Sequence, residues 1–384
     1  MTKSKEPDET VDDSDTSQSV DGDDSESGSD ETLVDNYIPG EWVAISKGSF
    51  WMGSPDGDCP QGYLDTIDAG PDGGACEREN GRDEDENLHY VELTTDFEIL
   101  STEVSQKQFE YVMHWNPSHF GPNREGMESL CDIECKNCEE NCPVEMISWF
   151  DALAYANELS KRASLTQCYS LTNVLCQDGQ DDNMGLDYMK CYDSSQSRRG
   201  IRSARVVLGG VDSVYQCTGY RLPTESEWEY AARAGSLTAF YSSEGNDGRI
   251  DPGKMGCHDT DPNLTQIAVY CGNSQGATGP VDGREANGWG LYGFAGNVSE
   301  WVWDTYESRY PSGDAMSPVI DPVVSSGSTS ARIIRGGCWN SGSATCRSAD
   351  RNSRPPSEQA YNIGIRLVRS LFSESSEGEF VPDE

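Results

Sequence analysis

Positive charge is what this chain has least of. Its 384 residues carry 28 Lys and Arg against 67 Asp and Glu, a formal net charge of −39, with only four histidines. A phosphate backbone is held by a surplus of Lys and Arg, so the balance argues against nucleic acid as a partner. It disfavours anionic membrane surfaces on the same ground. No apolar run is long enough to span a bilayer, and no hydrophobic signal segment follows Met1. A P-loop, a dinucleotide fingerprint and a GxSxG elbow are also missing. The excess of acid favours solubility and the attraction of cations, calcium included.

Cysteine, by contrast, is plentiful. There are fourteen, an even number, and many stand at short spacings such as Cys59/Cys76, Cys168/Cys176 and Cys257/Cys271. Structural disulfides persist in oxidising compartments, which predicts an exported protein, extracellular, periplasmic or at the cell surface. A surface lipoprotein whose signal lies upstream of Met1 would reconcile the cysteines with the missing leader. If Met1 is the true start, a cytoplasmic thiol-rich protein is the alternative. Cys131, Cys135, Cys138 and Cys142 fall within twelve residues. Four thiolates suffice for tetrahedral zinc, but the spacing is not that of a zinc ribbon, and disulfides are the ordinary outcome in an exported chain.

Three zones follow from composition. Residues 1–39 are an acidic tether: the first 36 hold thirteen Asp or Glu, two Lys and no aromatic residue, too little to bury. Residues 40–370 are the folded domain, and 371–384 an acidic tail. Glu41–Ile45, Gly48–Ser54, His89–Leu93 and Phe97–Leu100 read as strands with turns. Residues 55–87 read as a solvated acidic loop bracketed by Cys59 and Cys76, without EF-hand spacing. Ser105 is placed to cap a helix through Met113, and Ser148 to cap Trp149–Arg162, whose Trp149, Leu153, Ala156 and Leu159 form an apolar stripe. Residues 163–217 read as a polar, cysteine-bearing insertion with little periodicity.

Two long words carry the family signal. Gly219–Gly235 reads GYRLPTESEWEYAARAG, in which Thr224 and Glu227 form a capping box and Arg221 and Arg233 stand ready to pair with three glutamates. Asn287–Trp301 reads NGWGLYGFAGNVSEW. Together with Phe50–Ser54 and Arg366-Leu367-Val368, these words resemble the signatures of formylglycine-generating enzymes, or sulfatase-modifying factors, in their expected order. The resemblance implies an α+β, loop-rich variant of the C-type-lectin-like fold with sparse regular structure.

The family oxidises a cysteine of nascent sulfatases with copper held by two thiolates in RGGSxxCxxxxC. Here Arg335–Arg351 reads RGGCWNSGSATCRSADR. Cys346 matches the second thiol, Ser341 replaces the first, Cys338 falls on the motif's serine, and Ser299 stands where tryptophan is frequent. Serine is a poor ligand for Cu(I). The resemblance therefore implies a divergent member with a degenerate copper site, acting as a binding or accessory protein for a protein or glycan ligand. Trp339, Asn340, Ser341, Ser343, Thr345 and Asp350 would form its ligand face. The alternative is an oxidase in which Cys346 and Cys338 hold copper and act on a sulfatase cysteine. A Cys338–Cys346 disulfide is the preferred fate of those thiols over a copper pair. The resemblance also implies a structural calcium on the carbonyls of Gly296 and Val298 and the carboxylate of Glu300, with Gly293 where an asparagine ligand is usual. A calcium-free turn closed by Trp301 and Trp303 is the competing reading. The iron-binding histidine helix of related sulfoxide synthases is absent around His114 and His119.

Overall fold

The computed structural model describes residues 38–66, 76–121, 141–178, 187–192, 200–241, 248–249, 251, 255–310, 312–325 and 331–372, all in one unit spanning Asn36–Glu384. Most of both acidic tails, and Cys131, Cys135 and Cys138, lie outside these residues; Cys142 is disulfide-bonded.

Among the described residues the strands form four small sheets. The strands β1 (Trp42–Ile45), β2 (Gly48–Met52), β3 (His89–Leu93) and β4 (Asp96–Leu100) fall where the sequence predicts them. The C-terminal half supplies β7 (Ser299–Thr305), β8 (Val319–Ile320), β9 (Arg332–Arg335), β10 (Asn352–Arg354), β11 (Ile363–Ile365) and β12 (Val368–Leu371). Strand β4 lies between β1 and β12, both antiparallel, so the two ends of the domain close on one another. A second sheet runs β10-β9-β7-β11, with β7 antiparallel to β9 and parallel to β11, and a third runs β2-β3-β8.

The helices are α1 (Gln61–Leu64), α2 (Gln106–Met113), α3 (Trp149–Arg162), α4 (Glu225–Arg233) and α5 (Pro262–Ile267). Ser105, Ser148 and Thr224 each cap a helix through a reciprocal capping box, with Gln108, Asp151 and Glu227 returning the bond. Each such cap is worth about 1 kcal/mol against alanine. The first residue of the α3 stripe meets β7: Trp149 Nε1 donates to the Val302 carbonyl at 2.9 Å, and Trp301 Nε1 donates to the carbonyl of Ile147, just before the helix, at 3.1 Å. Arg332 lies over the Trp149 ring, 3.8 Å from its centroid.

Two expectations need correction. Residues 163–217 hold a hairpin, β5 (Tyr169–Cys176) against β6 (Ile201–Leu208), fastened by Cys168–Cys217 and Cys176–Cys191. Its alternation is hidden because the register shifts after Thr172, where Asn173 takes a positive φ of 52°; a bulge moves later side chains to the opposite face. The acidic loop after β2 does carry the Cys59–Cys76 bridge, but it is not simply solvated. Glu86 is buried and Glu79 nearly so, both bound by Arg347 at 2.6–2.8 Å.

Buried arginines tie these parts together. The three glutamates of α4 each take a guanidinium: Glu227 from Arg221 at 2.7 Å, Glu229 from Arg233 and Arg335, and Glu225 from Arg351 at 2.8 Å. Arg335 also donates to the carbonyls of Ser348, Ala349 and Asp350, holding the following loop against α4. Removing one partner of a buried pair costs about 3–5 kcal/mol. Arg335→Met should lower unfolding stability by about that amount in denaturant titration, whereas Arg78→Met at the exposed Arg78–Glu84 pair should leave the midpoint unchanged.

Asp304 gives a second handle on stability. Burial, helped by the charge of Glu225, pushes its carboxyl up to about 7. A folded-state value above the unfolded one means that the folded state holds the proton more tightly. Its contribution is therefore fully present below about pH 4 and is lost as pH rises through about 7. In chelator, Asp304→Asn should remove up to about 1.4 kcal/mol per pH unit of falling stability between those limits, measured by denaturation at stepped pH.

Candidate functional site

The site begins where β9 ends. Arg335 faces Glu300 across the β7–β9 pair, and the next two residues, Gly336 and Gly337, have positive φ of 92° and 67°. A Cβ on Gly337 would lie 2.5 Å from the Thr345 carbonyl and 2.8 Å from Cys346 Sγ, so no other residue fits this reversal. The reversal throws Cys338 into the wall of a cavity of about 210 Å3. Ser299, Asn340, Ser341, Asn352, Arg354 and Asn362 share its lining with Cys338.

Neither thiol is in a disulfide, which corrects the expectation of a Cys338–Cys346 bridge. Cys338 Sγ lies 2.9 Å from Ser341 Oγ and 3.0 Å from Asn340 Oδ1, and it accepts a long contact of 3.4 Å from Asn362 Nδ2. Cys346 does not line the cavity; its thiol donates toward the Gly342 carbonyl at 3.5 Å. Burial, then the neighbouring Cys338, pushes the Cys346 thiol well above its ordinary value, so it is a protonated, weak nucleophile. At the two thiol positions of the motif stand the Ser341 hydroxyl and the Cys346 thiol, and Cys338 Sγ meets Ser341 and Asn340 instead.

The ligand face divides. Trp339, Asn340, Ser341 and Thr345 stay accessible, but Ser343 and Asp350 are buried and cannot be part of an open surface. Ser343 opens the short turn leading to Cys346, and Asp350 is drawn inward beside Arg347, 3.7 Å away, while still reaching the cavity wall. An aromatic rim that the sequence did not reveal completes the face. Trp339 packs edge-on against Phe120, centroids 5.4 Å apart, and against Tyr361 at 5.7 Å, and Tyr361 is 44% exposed. These residues come from segments far apart in the chain, so spacing gave no signal.

The suspected calcium turn lies on the opposite side of the first residues of β7. Ser299 Oγ donates to the Gly337 carbonyl on the cavity side, whereas Glu300, next along the strand, points inward. Its carboxylate accepts from Trp228 Nε1 at 2.7 Å and from Arg366 at 2.8–3.2 Å. Beside it lies Glu103, a residue the sequence reading passed over. It is fully buried, and neither carboxylate oxygen has a hydrogen-bond partner. Burial, with the Glu300 charge adding to it, pushes the Glu103 carboxyl up to about 8. A Cβ on Gly293 would lie 2.2 Å from Glu103 Oε2, so Glu103 fills the space a side chain at 293 would need. An orphaned buried carboxylate beside a second one is an arrangement that a bound cation would satisfy. In a separate acidic trio, Asp83, Glu86 and Asp350, two members, Glu86 and Asp350, already have Arg347 beside them.

The architecture is mixed α and β, loop-rich and sparse in regular structure. The chain belongs to the family described as the sulfatase-modifying factor enzyme 1-like domain, whose model matches residues 36–371, and it is a divergent member. It is 26% identical to the "Chaperone protein LppX" of Paenibacillus barcinonensis over 78% of this chain and 88% of that one. It is 35% identical to the formylglycine-generating enzyme of Streptomyces coelicolor, but over 39% of this chain and 46% of that enzyme. The solved structure of Treponema denticola variable protein 1 superposes with a TM-score of 0.57 at 25% identity, covering 86% of this chain and 95% of that one.

The thiol geometry predicts a labelling pattern. Under native, non-reducing conditions an alkylating reagent should modify Cys338, with Cys346 modified only after denaturation. Peptide mapping should recover Cys59–Cys76, Cys168–Cys217, Cys176–Cys191 and Cys257–Cys271 intact. A Cys338–Cys346 linked peptide would contradict the geometry.

Proposed function

We propose that this protein is an exported binding or accessory protein that uses the loop after β9 to hold a protein or glycan ligand, and that it does not generate formylglycine. The observation carrying this reading is the hydroxyl of Ser341 in place of a thiol, set in a cavity walled by amides, hydroxyls and Arg354. Such a lining offers amide and hydroxyl donors and acceptors beside the charged side chains of Arg354 and Asp350, and the Trp339–Tyr361 rim offers an aromatic face of the kind that sugars and protein side chains pack against. Four disulfides among the described residues support an oxidising compartment, and no helix among them is long and apolar enough to cross a membrane. Likeness to a chaperone over most of both chains supports an accessory role. The Gly293–Glu300 turn, in this reading, holds a structural calcium through Gly296, Val298 and Glu300.

One observation favours the oxidase alternative: Cys338 and Cys346 are both unpaired and near one another. Incubation with Cu(I), oxygen and a Cys-x-Pro-x-Arg peptide separates the two readings. The expected outcome by mass spectrometry is no formylglycine. Copper-dependent aldehyde formation that disappears in Cys346→Ser would establish the oxidase. Ser341→Cys should strengthen copper binding without full turnover, because Cys338 and Ser299 also depart from the family's pattern. In a panel of glycans and surface proteins, binding should weaken about tenfold or more in Trp339→Ala, as for a central aromatic anchor.

A further inference from the structure

Every glutamate of α4 is met by an arginine, but Asp304, the buried acid of β7 beside them, is not. Among the described residues its carboxylate accepts two backbone amides, those of Glu225 and Val324, each at 2.8 Å, and forms no ion pair. Arg332, whose charge reaches it, is engaged by the Trp303 carbonyl and the Trp149 ring. Asp304 lines a cavity of about 100 Å3 that shares no residue with the one lined by Cys338. Tyr310 lines it too. Tyr310 is only 9% exposed, and its hydroxyl, close to Glu225, is cut off from solvent and makes no hydrogen bond. Glu225 itself is held by Arg351 at 2.8–3.0 Å. The remaining wall is mostly apolar, from Val319, Pro322, Val323 and Val324. These four are half-buried whereas Asp304, Glu225 and Tyr310 are buried, so the polar end lies inward and the apolar end toward the surface.

We infer that this cavity binds a primary alkylammonium group, with the aliphatic stem against Val319, Pro322 and Val323 and the charged head on Asp304, Glu225 and the Tyr310 oxygen. An ammonium has three N–H donors, and those three side chains offer it acceptors at one end of the cavity. Burial and the Glu225 charge push the Asp304 carboxyl up to about 7, so the site already holds a proton where a larger cation would sit. Other ligand classes fit less well. An anion meets two carboxyl groups, and a neutral apolar molecule leaves Tyr310 and Asp304 unanswered. A hydrated metal ion would find an apolar wall where it needs oxygens. The volume is about two-thirds of the roughly 150 Å3 that admits a benzene ring, which suits an unbranched chain. Met316 and Ile320, the most exposed large apolar side chains among the described residues, belong to the same segment as the apolar wall, so the mouth opens on an apolar surface. A lysine side chain and a free alkylamine share this chemistry. The site is separate from the ligand loop after β9, and neither reading depends on the other.

The probes are n-butylammonium, n-butanol and the peptide acetyl-Gly-Lys-Gly-amide, titrated into the full-length protein by calorimetry. Salt at about 0.15 M screens the general pull of an acidic surface on cations beyond about 8 Å. Butylammonium should bind saturably and raise the melting temperature, and butanol should bind about tenfold more weakly or worse. Tyr310→Phe removes only a hydroxyl and should weaken butylammonium about tenfold, as for a hydrogen bond to a charged group. Asp304→Asn should weaken it at least as much. If Asp304→Asn fails to fold, Val323→Phe decides, since it fills the cavity from the half-buried wall and should abolish binding. Peptide binding as tight as that of butylammonium identifies a partner's lysine as the source, and butylammonium binding without the peptide identifies a free amine. Equal affinity for butanol and butylammonium overturns the charged head. Binding that persists unchanged in Tyr310→Phe and Val323→Phe lies elsewhere on the surface and overturns the site, as does no binding by the unchanged protein.

Discussion

The fold depends on guanidinium groups placed where water is not. A chain with 67 acidic residues and 28 basic ones would be expected to show its cations at the surface as partners for surface acids. Instead Arg221, Arg335, Arg347 and Arg366 are among its most deeply buried large side chains. Each joins segments distant in sequence, and each brings more than one hydrogen bond in a fixed planar fork, which lysine could not do. Regular secondary structure is too sparse to set the mutual positions of four small sheets. The arginine forks supply that geometry, at a desolvation cost that only complete pairing offsets.

Much of this was readable from local chemistry. The capping boxes at Ser105, Ser148 and Thr224 are contained in four consecutive residues each, so helix starts were legible to the residue. The β5–β6 hairpin was not, because its bulge breaks the period on which a strand is recognised. Arg221 and Arg233 could be matched to α4 from nearness in sequence, whereas Arg335 and Arg351 reach it from more than a hundred residues away. Periodicity has nothing to say about such pairs.

The site divides along the same line. The loss of a thiol at Ser341 and the presence of Cys338 are matters of identity, visible once the loop is aligned with its family. That Cys338 and Cys346 do not bond to each other is a matter of direction: Cys338 turns into the cavity wall and Cys346 away from it. The Phe120–Trp339–Tyr361 rim and the Glu103–Gly293 contact are matters of assembly, made by segments that meet only after folding.

The two left-handed glycines have a consequence for how this molecule can change over generations. Gly336 and Gly337 fix the direction in which the chain leaves β9, and Arg347 and Arg351 clamp it where it returns. Between these fixed points, Trp339 to Thr345 are held largely by backbone bonds, such as the Trp339 amide to Asn297 and the Ser341 amide to Cys338. A stretch anchored at both margins and only lightly gripped between them behaves as a cassette. The accessible side chains among them, Asn340, Ser341 and Thr345, can be exchanged with less effect on the frame than the buried Ser343 or the ring-packed Trp339.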